Sequence, residues 1–255
     1  MLRRYQKIFS PAIGREMEIL AFGHAGEPFI AFTNNGGNFY EFEDNGMVNA
    51  LANLIDDGKV RLYTVGNIDQ ETWYHTGLDP HWRGIRHSAY QDFILNNLVP
   101  FIRYDAKVEK GMGLVGVDFG AFHAINFALK YPRNFNYALG MSGRYDLDKV
   151  CGRISESLEV YYNNPMAYIA NLEGSELKKV RKNTYIVLVS GQGHWDTTSY
   201  EETVRLGNLL EKAGIPYECD IWGNDVEPDW YWWQKQIVHH IEKRVEEKEE
   251  KSKDL

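Results

Sequence analysis

Residues 112 to 128 constrain this chain more than any other stretch. An apolar run from Met112 to Val117 leads into Gly116-Val117-Asp118-Phe119-Gly120, and then into the helix-like Ala121-Phe122-His123-Ala124-Ile125-Asn126-Phe127-Ala128. The pattern predicts a strand, a turn too tight for large side chains, and a helix. Glycines two residues before and two after Asp118 let the backbone reverse sharply, which holds the central side chain at the tip of the turn in front of the helix N-terminus. This is the geometry of a nucleophile elbow. Acyl transfer at such a tip needs Ser or Cys, and the residue present is Asp118.

The remaining pattern supplies a frame for that turn. Residues 2–9 and 15–22 predict an antiparallel pair at a sheet edge, and residues 28–33 a buried strand that stops at Asn34-Asn35-Gly36-Gly37. Met47, Val48, Leu51, Leu54 and Ile55 follow at helical spacing, then residues 60–65 as a strand. Residues 68–83 are polar and aromatic without a clean period, and are read as a long loop over the carboxyl edge of the sheet, where ligand contacts are expected. Tyr90, Phe93, Ile94, Leu98 and Ile102 mark a helix. Past the elbow, strands are expected at residues 137–141, 185–189 and 217–222, with helices at 201–213 and from Trp230 onward. Residues 147–182 carry short helical pieces and are read as an insertion or cap, and residues 246–255 as a charged tail.

Strands alternating with helices predict a single α/β domain over residues 1–255, with a mostly parallel central sheet flanked by helices on both faces. Ligands bind beyond the carboxyl ends of such strands. The loops at Asn34-Asn35, Asp118 and Gly191-Gln192-Gly193 should therefore meet at one place.

Charge narrows the partners. A formal charge of −8 and a pI near 5.5 exclude a nucleic-acid or anionic-membrane surface as the main partner, since phosphates would repel the chain at long range. A small neutral or cationic ligand is easier to accommodate. Cys151 and Cys219 are far apart, give neither a disulfide framework nor a metal spacing, and fit a reducing compartment. The start of the chain has Arg3 and Arg4 but no apolar segment after them, and no window approaches a membrane span, so a cytoplasmic location is expected.

Further motifs support a resemblance. Asn38-Phe39-Tyr40-Glu41-Phe42, Ile68-Asp69 with Glu71 and Trp73, the Gly116 to Gly120 elbow with His123-Ala124, Tyr131-Pro132, Ser142-Gly143 with Tyr145-Asp146, Asn164-Pro165, Gly191-Gln192-Gly193 and Trp222-Gly223 with Asp229-Trp230 occur in order. From about residue 20 to about 245 the chain resembles the small bacterial esterases of the α/β-hydrolase superfamily, related to the esterase D group. The resemblance implies an α/β-hydrolase fold and a Ser-His-acid site. It places the serine at Asp118 and the histidine at Pro228, two departures, and the acid at Asp196. Oxyanion donors would come from Phe119 and the Asn34-Asn35 loop.

A carboxylate nucleophile at Asp118 would still need a base to activate water for the second step, and proline cannot supply one. His194 is the candidate substitute base; His123, inside the elbow helix, is expected to face packing. The reading is an esterase-like protein with a degraded triad, non-catalytic, binding a small ligand or assembling with itself. The alternative is an active hydrolase of small ester-like substrates that uses Asp118 or a rearranged site.

Other chemistry is weaker. Asp118, Asp196, His194 and Asp225 match no metal spacing, so neither metal nor cofactor is expected. His75, His81 and His87 recur every six residues and are read as loop and surface residues. Gly111-Met112-Gly113-Leu114-Val115-Gly116 spells a dinucleotide fingerprint, but its glycines enter a strand rather than follow one. Trp222, Trp230, Tyr231, Trp232 and Trp233 suggest a stacking platform for sugars or cations; packing of the last helix is the favoured reading, with any exposed member free to form a subunit contact.

Overall fold

The computed structural model describes residues 1–253; the side chains of Asp196 and Ser252 lie outside the described residues. Eight strands form one sheet in the order β1-β2-β4-β3-β5-β6-β7-β8. They are β1 (Arg3–Ser10), β2 (Arg15–Phe22), β3 (Glu27–Phe32), β4 (Val60–Val65), β5 (Met112–Val117), β6 (Phe135–Met141), β7 (Tyr185–Ser190) and β8 (Tyr217–Ile221). β1 pairs antiparallel with β2, and β2 antiparallel with β4; every other pairing is parallel. The antiparallel edge and the parallel centre follow the sequence pattern: β1 alternates exposed and half-buried residues, whereas β4 and β5 are buried throughout, as strands covered on both faces must be.

Two apolar layers sandwich the sheet. One holds Ile30, Phe32, Leu114 and Ile186 against the helices α1 (Pro80–Asp92), α2 (Val99–Ala106), α3 (Phe119–Lys130), α4 (Gly174–Asn183) and α5 (Thr197–Lys212). The other holds Phe29, Val115, Leu139 and Val187 against short helices at Glu41–Asp44, Met47–Ala50 and Ala52–Asp56, and against α6 (Trp230–Lys253). The spacing from Met47 to Ile55 therefore gives two short helices rather than one, interrupted at Leu51. A π-helical segment, Phe93–Leu98, joins α1 to α2. Pro100, at the start of α2, lacks the N–H that regular helical bonding back to residue 96 requires, which accounts for the widened turn.

α3 is buried along its whole length from Phe119 to Leu129, which explains its lack of a polar face. Residues 147–182 cover it with short helices, and Tyr168 donates to Asn126 Oδ1 at 3.0 Å.

Two readings of the sequence need correction. The loop read over residues 68–83 ends earlier and packs inward: Asp69 and Trp73 are buried, and Pro80 already begins α1 with Asp79 as its cap. His87 is no surface residue but fully buried, because α1 turns Arg83, Gly84, His87 and Tyr90 inward. In the aromatic cluster, Trp233 is buried and Trp222 and Trp230 half-buried, in T-shaped contacts that hold α6, while Tyr231 stays exposed. No helix among the described residues is long and apolar enough to cross a membrane.

Candidate functional site

Strand β5 delivers Asp118 to the carboxyl end of the sheet in a conformation that side chains rarely adopt, φ 52° and ψ −121°. Its backbone N–H donates to the Met141 carbonyl at 3.0 Å, so β6 fixes the turn. The flanking glycines are compulsory. A Cβ on Gly116 would lie 2.1 Å from the Gly120 oxygen, and a Cβ on Gly120 would lie 2.2 Å from the carbonyl oxygens of Phe32 and Thr33.

The tip residue faces the loop that leaves β3. The Asn35 N–H donates to Asp118 Oδ2 at 3.2 Å. That loop is held in place: Asn67 Nδ2 donates to the Asn34 carbonyl at 2.9 Å, and Gln70 Nε2 to Asn35 Oδ1 at 3.1 Å. Burial pushes the Asp118 carboxyl above its ordinary range; the Asn35 and Phe119 amides and the Arg144 guanidinium oppose the rise, and Asp69 adds to it. Tyr74 packs edge-on against Phe119 at 4.9 Å, and its hydroxyl pKa is raised mainly by burial, then by Asp118 and Asp69.

The other candidates lie around this centre. Pro228 is half-buried in the loop between β8 and α6. Its neighbour Glu227 ties that loop to the next one, accepting from the N–H groups of His194 and Trp195 at 2.9 Å each. His194 is exposed, with its ring 4.9 Å from that of Trp195. Asp196 belongs to the same short turn, and its side chain lies outside the described residues. Asp225 is exposed.

Among the described residues, no histidine hydrogen-bonds Asp118. His123, in the elbow helix, turns away to Asp69, with Nε2 2.8 Å from Oδ1 and both side chains buried. Its ring stacks on that of His87 at 5.5 Å, and His87 is held neutral by burial, which pushes its pKa well down.

Three groups at the centre escaped the sequence reading. Arg144 follows β6 at the same end of the sheet as the elbow, and a cation just past a strand end was the available signal. Tyr74 sat within a stretch read as loop, and the Asp69–His123 pair joins residues 54 apart, for which no local pattern exists. The whole arrangement is a carboxylate held by backbone amides, near a guanidinium and a phenol. It can accept hydrogen bonds or hold a proton.

The model of the esterase family, described as "Putative esterase", matches residues 39–251. The chain belongs to the esterase family. No curated protein matches the sequence. Among solved structures, an S-formylglutathione hydrolase from Agrobacterium tumefaciens is similar with a TM-score of 0.73 and 10% identity, covering 96% of this chain and 94% of that one. FphF, a fluorophosphonate-binding serine hydrolase of Staphylococcus aureus, gives 0.72 at 15% identity, covering 96% and 98%. Mycobacterium tuberculosis MPT51 (FbpC1) gives 0.72 at 13% identity, covering 96% and 98%. At these identities the likeness shows the fold alone: this esterase-family chain has the α/β-hydrolase fold, with a mostly parallel sheet of eight strands.

Proposed function

We propose that this esterase-family chain is a non-catalytic, ligand-binding or self-assembling member whose Ser-His-acid site has been lost. One observation carries the reading: the Asp118 carboxylate itself takes the Asn35 N–H, a donor that an acyl-transfer oxyanion would need. A substrate carbonyl at that place would have to displace a carboxylate, and the negative charge developing on it would meet another.

Among the described residues no histidine hydrogen-bonds Asp118 to move a proton, and His194 is exposed in the neighbouring turn. Pro228 stands where the resemblance places the histidine, and the buried His123 is engaged by Asp69. Loss of a nucleophile or its histidine in a serine hydrolase costs about 10⁶ in turnover. A carboxylate attack by Asp118 would leave a covalent intermediate, and the position from which the resemblance supplies the base to hydrolyse it holds Pro228.

The test is a panel of p-nitrophenyl esters with S-formylglutathione added, because similar structures include hydrolases of that thioester. Wild type is expected to match buffer. Turnover above buffer that disappears in Asp118→Asn would establish the alternative, an active hydrolase built on Asp118. The double variant Asp118→Ser with Pro228→His is expected to gain measurable ester hydrolysis, because the elbow and the Asn35 amide are already in place.

A further inference from the structure

Strand β8 forms the edge of the sheet, and α6 packs across it. On that face Asp220 meets two consecutive histidines of α6. One ligand atom from each of Asp220, His239 and His240 lies within 4.8 Å of the others. We propose that these three side chains bind a divalent transition-metal ion of the zinc class, at a site separate from the elbow.

Two of the three are fixed before any ion arrives. His240 is 1% exposed, and its Nε2 lies 3.1 Å from Asp220 Oδ2. The Trp222 indole N–H donates to the same oxygen at 2.8 Å and orients the carboxylate, the kind of outer support that metal ligands need. Gln236, one turn before His240 on α6, is fully buried with neither amide atom hydrogen-bonded to a described residue. Polar capacity therefore exceeds what the protein itself satisfies on this part of α6.

The third group decides between a structural pair and a site. A buried histidine is already satisfied by one carboxylate, so His240 and Asp220 alone carry no ligand. His239 is exposed and adds a second imidazole to the cluster. Ligands about 2.1 Å from a tetrahedral zinc lie roughly 3.4 Å from one another. From separations of up to 4.8 Å the cluster must tighten by at most about 1.4 Å, and the exposed His239 can do this by changing rotamer, with no movement of the buried pair. Two imidazoles and a carboxylate suit zinc, cobalt or nickel rather than calcium or magnesium, which take oxygen ligands. Three protein ligands leave a fourth position to solvent. Glu218, two residues before Asp220 on the edge strand, is ion-paired with Lys243 of α6 at 2.7 Å.

The experiment uses untagged full-length protein, stripped with EDTA, desalted, and titrated with zinc by calorimetry and with cobalt by visible absorption. One zinc per chain is expected, with magnesium giving no heat. His239→Ala, at an exposed position, should weaken zinc binding by at least about tenfold and abolish the cobalt bands, and His239→Phe, which keeps a ring against Trp222, should do the same. Asp220→Asn should have this effect too; if it proves unfolded by circular dichroism, the His239 variants decide alone. Wild type that binds no zinc overturns the proposal, as does zinc affinity unchanged in His239→Ala.

Discussion

The Asn35 backbone N–H reaches the Asp118 carboxylate across 3.2 Å, so one strand end supplies a donor and its neighbour in the sheet supplies an acceptor that closes it off. The contact holds a carboxylate where burial disfavours its charge. That cost is the basis of the first prediction. A raised folded pKa means that stability falls as pH climbs from the ordinary value of 3.8 through the raised one, and the full penalty persists above it. Asp118→Asn should therefore stabilise the chain at pH 7, by about 1 kcal/mol, as replacements at functional sites commonly do. The gain should vanish below pH 3.8, where both states hold the proton. Urea unfolding of both proteins at pH 3 and pH 7 measures it; an equal difference at the two pH values would contradict the electrostatic origin.

The Asp69–His123 pair behaves differently because both partners are buried, at 1% and 0% side-chain exposure. Asp69→Ala leaves the imidazole without that acceptor, beside a His87 that has no hydrogen-bond partner among the described residues. A loss of about 3 kcal/mol is expected, and a smaller one in Asp69→Asn, which keeps a hydrogen bond. Chemical denaturation separates them; equal losses in the two variants would mean that packing, and not the polar contact, governs the site.

Which of these features a sequence can disclose depends on how local their cause is. The elbow was legible because two glycines and an apolar run specify strand, turn and helix within 17 residues, 112 to 128. The parallel centre was legible because β5 and β7 are continuous apolar runs. The inward face of α1 was not, since Arg83, Gly84 and His87 bury polar or small groups where an apolar stripe would signal a helix. Arg83 is satisfied there by the carbonyls of Leu78 and Trp73, at 2.8 and 3.0 Å, which only the folded turn before α1 provides. The Asp220–His240 contact escaped for a related reason. Its residues follow no metal spacing, and strand–helix packing alone brings them together.

Lys130, the last residue of α3, gives a prediction at alkaline pH. Burial pushes its ammonium down to about 8 from 10.5, while Nζ donates to Asn163 Oδ1 at 2.7 Å. A folded pKa below the unfolded one means that the folded chain binds fewer protons between these values, so this group's contribution to stability rises from about pH 8 to pH 10.5. Lys130→Met removes the titration. The stability difference between wild type and variant should shift in favour of wild type between pH 7.5 and 9.5, and parallel curves in urea would refute the assignment.

At the opposite end of the sheet, Asp105 of α2 anchors the edge strand. It accepts both Arg4 guanidinium donors at 2.5 and 2.6 Å and the Tyr63 hydroxyl at 2.6 Å, with Arg61 Nη2 a further 3.3 Å away. The hydrogen bonds from Arg4, foremost among several favourable contacts, hold its carboxyl below the ordinary range. A lowered folded pKa gives stability that is present above 3.8 and lost as pH falls through the folded value. Asp105→Asn keeps the shape but loses the charge, and should cost about 1 kcal/mol at pH 7, because a fork of charge-assisted bonds at a partly buried, solvent-screened carboxylate is replaced by a neutral amide. The deficit should shrink on acidification. Since Arg4 lies in β1, bonded to the sheet through β2 alone, the loss should also appear locally, as faster amide hydrogen exchange along Arg3–Ser10 than along β4. Uniform exchange across both strands would mean that Asp105 supports the fold globally rather than pinning its edge.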